Sequence, residues 1–528
     1  MIVPFALSEG YWEEIEITEE DVEYLYNHLL DLETPLPSKE LVAALIQERI
    51  RQAQRIFEES HVNNEDVYMP KGAYDIDQSL VFPAFGYRRA NVVNKRPGNN
   101  PELGEFQVIG VTFENGEQKE FAANYPEHVL NDPPKIDLSD PSLNPEEVMK
   151  NNEESLVATL EDALDEQPGF VRIAGRWFPR ALLMDINIGQ LNLAEAVLDM
   201  AGGGPLPTSS LLEQIDVPKG LNPKLMDFSF DLALQEDPRF DEVGPSGETL
   251  WFLNRLEPPE VLEPPVYLRY SGIEYDRSLL SPAMLELERS LDDELSPVVT
   301  AARPSDQLRV DMRLIFPHLR AGTLPLSARL RHLFPTAYEA PRIRFTFVDG
   351  HTGYQFPGWV VRQKRFIYGL GEWYKTHGLM PGSIVQVQRG PNPGEVVVRT
   401  DVRRSTRDWV RTVLVGSDGG IVFAMLKQPV STLLDDRMAL AIPDYEALDE
   451  IWTRSSKDQA SFERVVVNSM RELARLNPQS HVHASELYAA INVVRRCPPG
   501  PILALLASRP WFNHVGDLHY RFSDSESS

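Results

Sequence analysis

Pro238-Arg239-Phe240-Asp241-Glu242-Val243-Gly244 and Pro510-Trp511-Phe512-Asn513-His514-Val515-Gly516 are two copies of one pattern. Pro, Phe, Val and Gly coincide. Each copy runs into an aromatic strand, Leu250-Trp251-Phe252 and Leu518-His519-Tyr520. A repeat that preserves its turn residues along with its apolar ones marks a module used more than once. Upstream of each copy the same order of segments appears. In the first, a helix over Asn192 to Ala201 precedes Gly204-Pro205-Leu206-Pro207-Thr208, a helix from Ser209 and a third over Leu221 to Glu236. In the second, Arg464 to Leu476 precedes His481-Val482-His483-Ala484-Ser485, a helix from Glu486 and a third over Pro501 to Ser508. The turns at Gly244-Pro245-Ser246-Gly247 and Gly516-Asp517 make each ending a β-hairpin.

The N-terminal region starts the same design a third time. Thr18 caps a helix with Asp21 three residues on. Val22, Leu25, Tyr26, Leu29 and Leu30 share its face up to Leu32. Thr34-Pro35-Leu36-Pro37-Ser38 and a helix from Lys39 to Glu59 follow. The hairpin is then missing. Short strands take its place at Leu80-Val81-Phe82, Ala90 to Val93, Phe106 to Phe113 and Lys119 to Ala123. Asn94 to Gly104 and Glu114-Asn115-Gly116-Glu117 read as turns between them. Beyond a linker from Pro133 to Pro145, a helix over Glu153 to Glu166 leads into Pro168-Gly169-Phe170 to Gly175-Arg176-Trp177-Phe178, an echo of the other two hairpins. The first module is therefore expected to be interrupted, with the strands inserted between its second and third helices.

Three helices closed by a hairpin resemble the HARE-type winged-helix family, found in bacterial RNA polymerase delta subunits and in restriction and chromatin proteins. The strand-rich insertion resembles a small Tudor or KOW-type barrel. The fold class expected is α+β and multidomain. It comprises the helical first part of an interrupted winged helix over 1–66, the small barrel over 67–132 and the return of the first module over 150–182. A winged helix over 190–256, a central basic β domain over 266–450 and a C-terminal winged helix over 458–523 complete it. Glu257-Pro258-Pro259-Glu260-Val261-Leu262-Glu263-Pro264-Pro265 reads as a stiff acidic linker.

Charge divides unevenly along the 528 residues. The net charge is −28, but residues 1–265 hold 50 Asp+Glu against 19 Lys+Arg, and residues 266–528 hold 29 against 32. The first half would be repelled by nucleic acid and suits a basic protein partner, RNA polymerase among the candidates. Between Pro341 and Arg411, 12 Lys+Arg face 5 Asp+Glu. That excess can neutralise phosphates. The one cysteine, Cys497, excludes an internal disulfide. No apolar run is long enough to span a membrane. Met1 to Gly10 carries no Lys or Arg ahead of its short apolar run, so no signal peptide is expected and the expected location is cytoplasmic.

In the basic stretch, Ile343 to Val348 alternates as a strand, Asp349-Gly350 turns, and Trp359-Val360-Val361 and Phe366-Ile367-Tyr368 are further strands. Leu370 to Leu379 reads as a short helix, and Met380-Pro381-Gly382-Ser383 turns into the strand Ile384 to Val387. This order is similar to the DNA-binding pseudobarrel of plant auxin-response-type transcription factors and of one group of restriction endonucleases. Ser383 stands where that family commonly has Asp. The resemblance implies basic side chains on DNA-facing strands and loops. The candidates are Arg342, Arg344, Arg362, Lys364, Arg365, Arg389, Arg399, Arg403, Arg404, Arg407 and Arg411. Arginine serves both phosphate and base contacts. The opposing expectation is that several pair with Asp349, Glu372, Asp401 and Asp408.

The third helices are poor DNA readers. Leu221 to Asp237 sets Lys224 against Asp227, Asp231, Glu236 and Asp237, and Pro501 to Ser508 is almost wholly apolar; Arg495 and Arg496 just before it can reach a backbone. The winged helices are expected to contact protein. Chemistry is sparse: there is no phosphate loop and no His-Glu-x-x-His pair. Gly416-Ser417-Asp418-Gly419-Gly420 reads as a turn. His481 and His483 alternate on a strand without a third ligand near in sequence and read as structural. Asp292-Asp293-Glu294 reads as a solvated helix end. The expectation is a DNA-binding protein of transcription or nucleoid control, not an enzyme, with no metal or cofactor. The alternatives are a scaffold or accessory subunit of a helicase or restriction complex, and a metal-dependent nuclease.

Overall fold

The computed structural model describes all residues except 1, 5–6, 8–9, 62–66, 83–84, 86–87, 101–104, 132–134, 138–139, 216–221, 298–307, 417–419, 456–460 and 524–528. The chain is α+β, with helices and several separate sheets. It forms two compact units, Met1–Met184 with Leu221–Phe228, and Asp185–Gly220 with Ser229–Ser528.

The first unit runs β1 (Ile2–Pro4), α1 (Glu19–Leu32), β2 (Leu36–Pro37), α2 (Ser38–His61), β3 (Ser79–Phe82), β4 (Arg88–Pro97), β5 (Gln107–Phe113), β6 (Gln118–Ala123), β7 (Lys135–Asp137), α3 (Pro145–Asp165), β8 (Phe170–Ile173) and β9 (Arg176–Pro179). Thr18 and Asp21 form the expected capping box at the start of α1. β2 pairs with β9, and β9 with β8. The hairpin after α3 thus closes on the turn after α1, with β3 to β6 between them in the chain. A polar relay fixes this closure. Trp177 Nε1 donates to Ser38 Oγ at 3.0 Å, and Ser38 Oγ donates to Glu161 Oε1 at 2.6 Å. The relay lets a buried indole satisfy its N–H.

Two local expectations are corrected here. α3 starts at Pro145, well before Glu153. Asn144 caps it and Pro145 takes the first helical position. The linker expected up to Pro145 therefore ends in a helix start; its Pro133, Pro134, Leu138 and Ser139 lie outside the described residues. β4 runs on to Pro97, through the start of the turn expected from Asn94. Its ladder with β5 continues past a bulge between Val92 and Asn94, where the Asn94 side chain accepts from the Gly110 N–H at 3.0 Å. Pairing with a neighbour overrides turn-like composition. β3 to β6 form an antiparallel sheet in chain order around Tyr68, Leu80, Phe82, Val92, Ile109 and Phe113.

The second unit runs α4 (Ile188–Met200), β10 (Leu206–Pro207), α5 (Thr208–Leu212), α6 (Pro223–Glu236, counted with the first unit as far as Phe228), β11 (Phe240–Glu242), β12 (Leu250–Leu253), α7 (Pro259–Leu262), α8 (Pro282–Leu291), β13 (Arg309–Arg313), α9 (Phe316–Ala321), β14 (Thr323–Pro325), β15 (Arg342–Asp349), β16 (Gln355–Val361) and β17 (Phe366–Tyr368). It continues α10 (Gly371–Thr376), β18 (Ile384–Arg389), β19 (Glu395–Arg399), β20 (Val402–Val415), β21 (Ile421–Thr432), α11 (Tyr445–Ser455), α12 (Phe462–Ala474), β22 (His481–His483), α13 (Ala484–Val494), α14 (Pro499–Ser508), β23 (Phe512–Gly516) and β24 (His519–Phe522).

The sheets β10-β12-β11 and β22-β24-β23 repeat the order β2-β9-β8. Register repeats as well: Leu36, Leu206 and Val482 face Trp177, Trp251 and Tyr520. Trp251 Nε1 donates to Thr208 Oγ1 at 3.1 Å and to Asp231 Oδ1 at 2.9 Å, the same relay as in the first unit. In the last copy Ala484 and Tyr520 are buried instead, and the corner is apolar. α4 starts earlier than Asn192, because Asn187 and Gln190 form its capping box.

The segment expected to be a stiff linker is packed. Pro259 opens the short helix α7, and Val261 packs with Val243, Phe252, Trp359, Val361 and Phe366. Glu257 is buried, 2.9 Å from Arg342 Nε. The charge step at Pro265 is not a structural break.

Asp292-Asp293-Glu294 is also corrected: all three are buried. Arg496, fully buried, binds Asp293 through both Nη atoms at 2.8 and 2.7 Å and Glu294 at 2.7 Å. Tyr488 donates to Asp293 at 2.6 Å, and His318 Nε2 lies 3.2 Å from Glu294. Burial raises the Glu294 pKa, but Arg496 and His318 more than offset it and leave it lowered. Arg496 is therefore a structural counter-ion and not available to a nucleic-acid backbone. α14, next in the chain, is buried over Pro499 to Leu506.

The central sheet has the order β13-β18-β19-β15-β16-β17-β14, with β15 and β19 parallel and the other pairs antiparallel. Gly382 precedes β18 at φ +91°, where a Cβ would lie 2.6 Å from Ala439 N, so the turn requires glycine. The following Ser383 is buried; its Oγ accepts from Met380 N–H at 3.0 Å and lies 3.1 Å from Thr432 Oγ1.

Candidate nucleic-acid interface

The central sheet sorts the basic candidates by register. Arg342 stands opposite Val361, so Arg342, Arg362, Lys364 and Arg365 gather at one end of β15. Asp349, at the other end, faces Val398 of β19, so Arg399 and the start of β20 lie there. Seven strand steps separate the two ends, about 23 Å at roughly 3.3 Å per residue. The eleven residues do not form one continuous patch.

Five of them are committed to partners within the fold, Arg389 from an exposed position. Arg342 pairs with Asp241 and lies against Glu257. Arg344 donates to the Phe345 carbonyl at 2.8 Å and stacks 5.6 Å from the Trp359 ring; burial lowers its pKa. Arg362 donates to the carbonyls of Tyr338 and Ala340 at 3.2 and 2.9 Å. Arg389 donates to the His332 carbonyl at 3.1 Å. Arg411 reaches the carbonyls of Asp436 and Arg437 and lies 2.9 Å from Glu486.

The acids expected to quench these arginines serve other groups. Asp349 accepts from the N–H groups of His351 and Thr352 and from Trp373 Nε1, at 2.7, 3.2 and 3.1 Å. Glu372 accepts from Lys375, Asp401 from Gln386, and Asp408 from Thr406.

The remaining six are exposed. Lys364 and Arg365 occupy the turn between β16 and β17. Arg399 lies over Gly350. Arg403, Arg404 and Arg407 stand on β20, which forms a two-stranded sheet with β21 and bridges Ala441 at Thr412. Among the described residues, none of these three side chains has a hydrogen bond or ion pair.

Strand β20 is anchored in its second half and exposed in its first, while β21 stays buried at Val430 and Thr432 opposite that first half. Toward the ribbon's tip, Val413 and Phe423 enter the large core shared with α11 to α14, while Val410 and Val430 pack on Ala439 and Ala441. At the other end, every residue from Val402 to Trp409 is exposed. Register jumps from Val402 opposite Thr432 to Thr406 opposite Val430, so β20 carries two extra residues there. A bulge re-aims side chains away from the ladder, and this one holds Arg403 and Arg404. Of the turn expected at Gly416 to Gly420, Ser417, Asp418 and Gly419 lie outside the described residues.

Two partners in this site were not singled out from the sequence. Trp409 is 61% exposed, and Lys427, directly opposite on β21, sits 5.5 Å from its ring centroid. The signal was present in Val402-Arg403-Arg404-Ser405-Thr406-Arg407-Asp408-Trp409, an aromatic interleaved with cations. Lys427 lies beyond the stretch of excess positive charge. A groove of about 450 Å³ runs beside the ribbon, bordered by Arg403, Trp409, Arg411, Arg437, Leu473 and Pro478.

A larger cavity of about 1210 Å³ lies in the same unit. Among its lining residues Arg277 pairs with Glu288, Asp292 accepts from Ser327 and Arg362 donates to backbone carbonyls. No helix among the described residues is long and apolar enough to cross a membrane. Compared with known proteins, the chain matches no family model, no curated protein and no solved structure.

Proposed function

We propose that this chain binds nucleic acid through the exposed first half of β20 in the β20–β21 ribbon, as a DNA-binding protein of transcription or nucleoid control. The observation that carries the reading is the set Arg403, Arg404 and Arg407, three exposed guanidiniums without internal partners, beside the exposed Trp409. A two-stranded ribbon fits the major groove of duplex DNA, and arginine can engage both phosphate and guanine. Trp409 adds a face on which an unpaired base stacks. The three repeated modules are read as winged helices that contact protein. The burial of α14 supports this, since a recognition helix must present its side chains.

The test is duplex binding by the full chain, titrated against salt. Loss of one phosphate contact lowers the slope of log K against log salt by about 0.9. Arg403→Ala with Arg404→Ala and Arg407→Ala is expected to lower it by about 3 and to leave the circular dichroism spectrum unchanged. An unchanged slope would sink the ribbon as the binding site. Absence of any salt-dependent binding at about 50 mM salt would favour a second reading, in which the ribbon docks a protein. The exposed Leu414, Val422, Met425 and Leu426 on the same ribbon favour that alternative.

A further inference from the structure

We propose that His483, Asp517 and His519 form a binding site for a divalent transition ion of the zinc class. Sequence reading paired His483 with His481, which lies two positions away on the same face of β22, but His481 is engaged elsewhere. His481 Nε2 meets Arg521 at 3.1 Å, away from His483. Folding supplies the second histidine: β22 pairs with β24 so that His483 stands directly opposite His519. Their rings are 4.9 Å apart at 70°. Asp517 occupies the turn from β23 into β24. One ligand atom from each of the three lies within 4.8 Å of the other two.

The chemistry of the set suits such an ion. Imidazole and carboxylate bind zinc at about 2.0–2.2 Å, and three protein ligands leave one position for water. His483 Nδ1 lies 2.7 Å from Ser485 Oγ. Nδ1 also accepts from the Ser485 N–H at 3.1 Å, which caps α13 and fixes the ring with Nε2 toward Arg437 and the site. A ligating histidine held by a hydrogen bond at its other nitrogen is the usual outer support of a metal site.

A separate observation points to a cation. Arg437 already brings positive charge to this cluster. Its Nη1 lies 3.0 Å from His483 Nε2 and its Nη2 lies 3.3 Å from Asp517 Oδ2. The guanidinium thus touches two of the three ligands. A metal ion would take its place, and Arg437, 48% exposed at its side chain, has room to withdraw. Arg437 is a competitor for the site and not a part of it. The site does not depend on the ribbon's binding nucleic acid.

The experiment uses the full chain freed of metal with a chelator and titrated with Co²⁺ and Zn²⁺. The readouts are the visible absorption of bound Co²⁺ and the heat of Zn²⁺ binding. One equivalent is expected to bind. His519→Ala and Asp517→Asn, both at the surface, are each expected to weaken binding by at least about tenfold. Arg437→Ala is expected to tighten it several-fold, because the competing cation is gone. His514→Ala, on β23 outside the cluster, should leave it unchanged. Because His483 also begins α13, His483→Ala is read only alongside a folded circular dichroism spectrum. No stoichiometric binding overturns the proposal. So does binding that survives His519→Ala with Asp517→Asn, or binding that weakens in Arg437→Ala.

Discussion

At the scale of single residues, arginine has two fates in this protein, and composition does not separate them. Arg496 and Arg404 are both arginines next to another arginine in sequence. Arg496 is fully buried against Asp293 and Glu294, while Arg404 is exposed and, among the described residues, unpaired. Removing one partner of a buried ion cluster leaves uncompensated charge, which costs about 3–5 kcal/mol. Arg496→Met is therefore expected to destabilise the second unit by that amount in urea unfolding. Arg404→Ala is expected to stay within about 0.5 kcal/mol, as exposed substitutions do. Equal effects of the two would contradict this assignment. Asp292-Asp293-Glu294 looked solvated because its counter-ion lies some two hundred positions away. The five internally committed arginines were unreadable for the same reason: their partners are mostly backbone carbonyls, which carry no sequence signal.

At the scale of elements, what was legible was what is local. The capping box at Thr18, the Pro-Leu turns, the hairpin glycines and the strand alternation of Ile343 to Val348, inside β15, all appear in the structure where the sequence places them. The three-stranded closures could be anticipated because the repeat carried its own turn residues. The packed α7 could not. Its prolines resemble a linker, and only contact with β12 and β16 shows Val261 to be core. This junction has a pH consequence. Burial first, then the neighbouring Asp241 carboxylate, push Glu257 up to about 9, with Arg342 offsetting part of the shift. The folded state therefore holds a proton that the unfolded state loses near its ordinary value of 4.5. Stability from this group is complete below about pH 4.5, declines as pH rises, and is gone above about 9. Glu257→Gln keeps the protonated shape without the titration. It is expected to flatten the fall in stability between pH 6 and pH 9, a fall of at most about 4 kcal/mol, read as denaturation midpoints at each pH. A parallel pH profile for the two proteins would rule out Glu257 as the source.

At the scale of the whole molecule, each of the two units has a core of its own. In the first, Leu25, Leu29, Leu41, Leu45, Leu156 and Leu160 are buried. In the second, the largest cluster joins α8, α9, the tip half of the ribbon and α11 to α14. Units with separate cores are expected to unfold separately, since cooperativity extends only as far as continuous packing. Scanning calorimetry is expected to resolve two transitions. Substitutions then label them. Leu160→Ala removes buried methyl groups and costs about 2–5 kcal/mol. In a unit of this size that is roughly 5–15 °C of midpoint. It should lower one transition and leave the other in place, whereas Arg496→Met should lower the second alone. If both substitutions moved a single transition together, the units would be one cooperative body. The ribbon's anchorage in the large core would then couple any ligand on Arg403, Arg404 and Arg407 to the stability of the entire chain. With two transitions, nucleic acid bound at the ribbon should raise only the midpoint that Arg496→Met lowers, because a ligand stabilises the unit that holds its site.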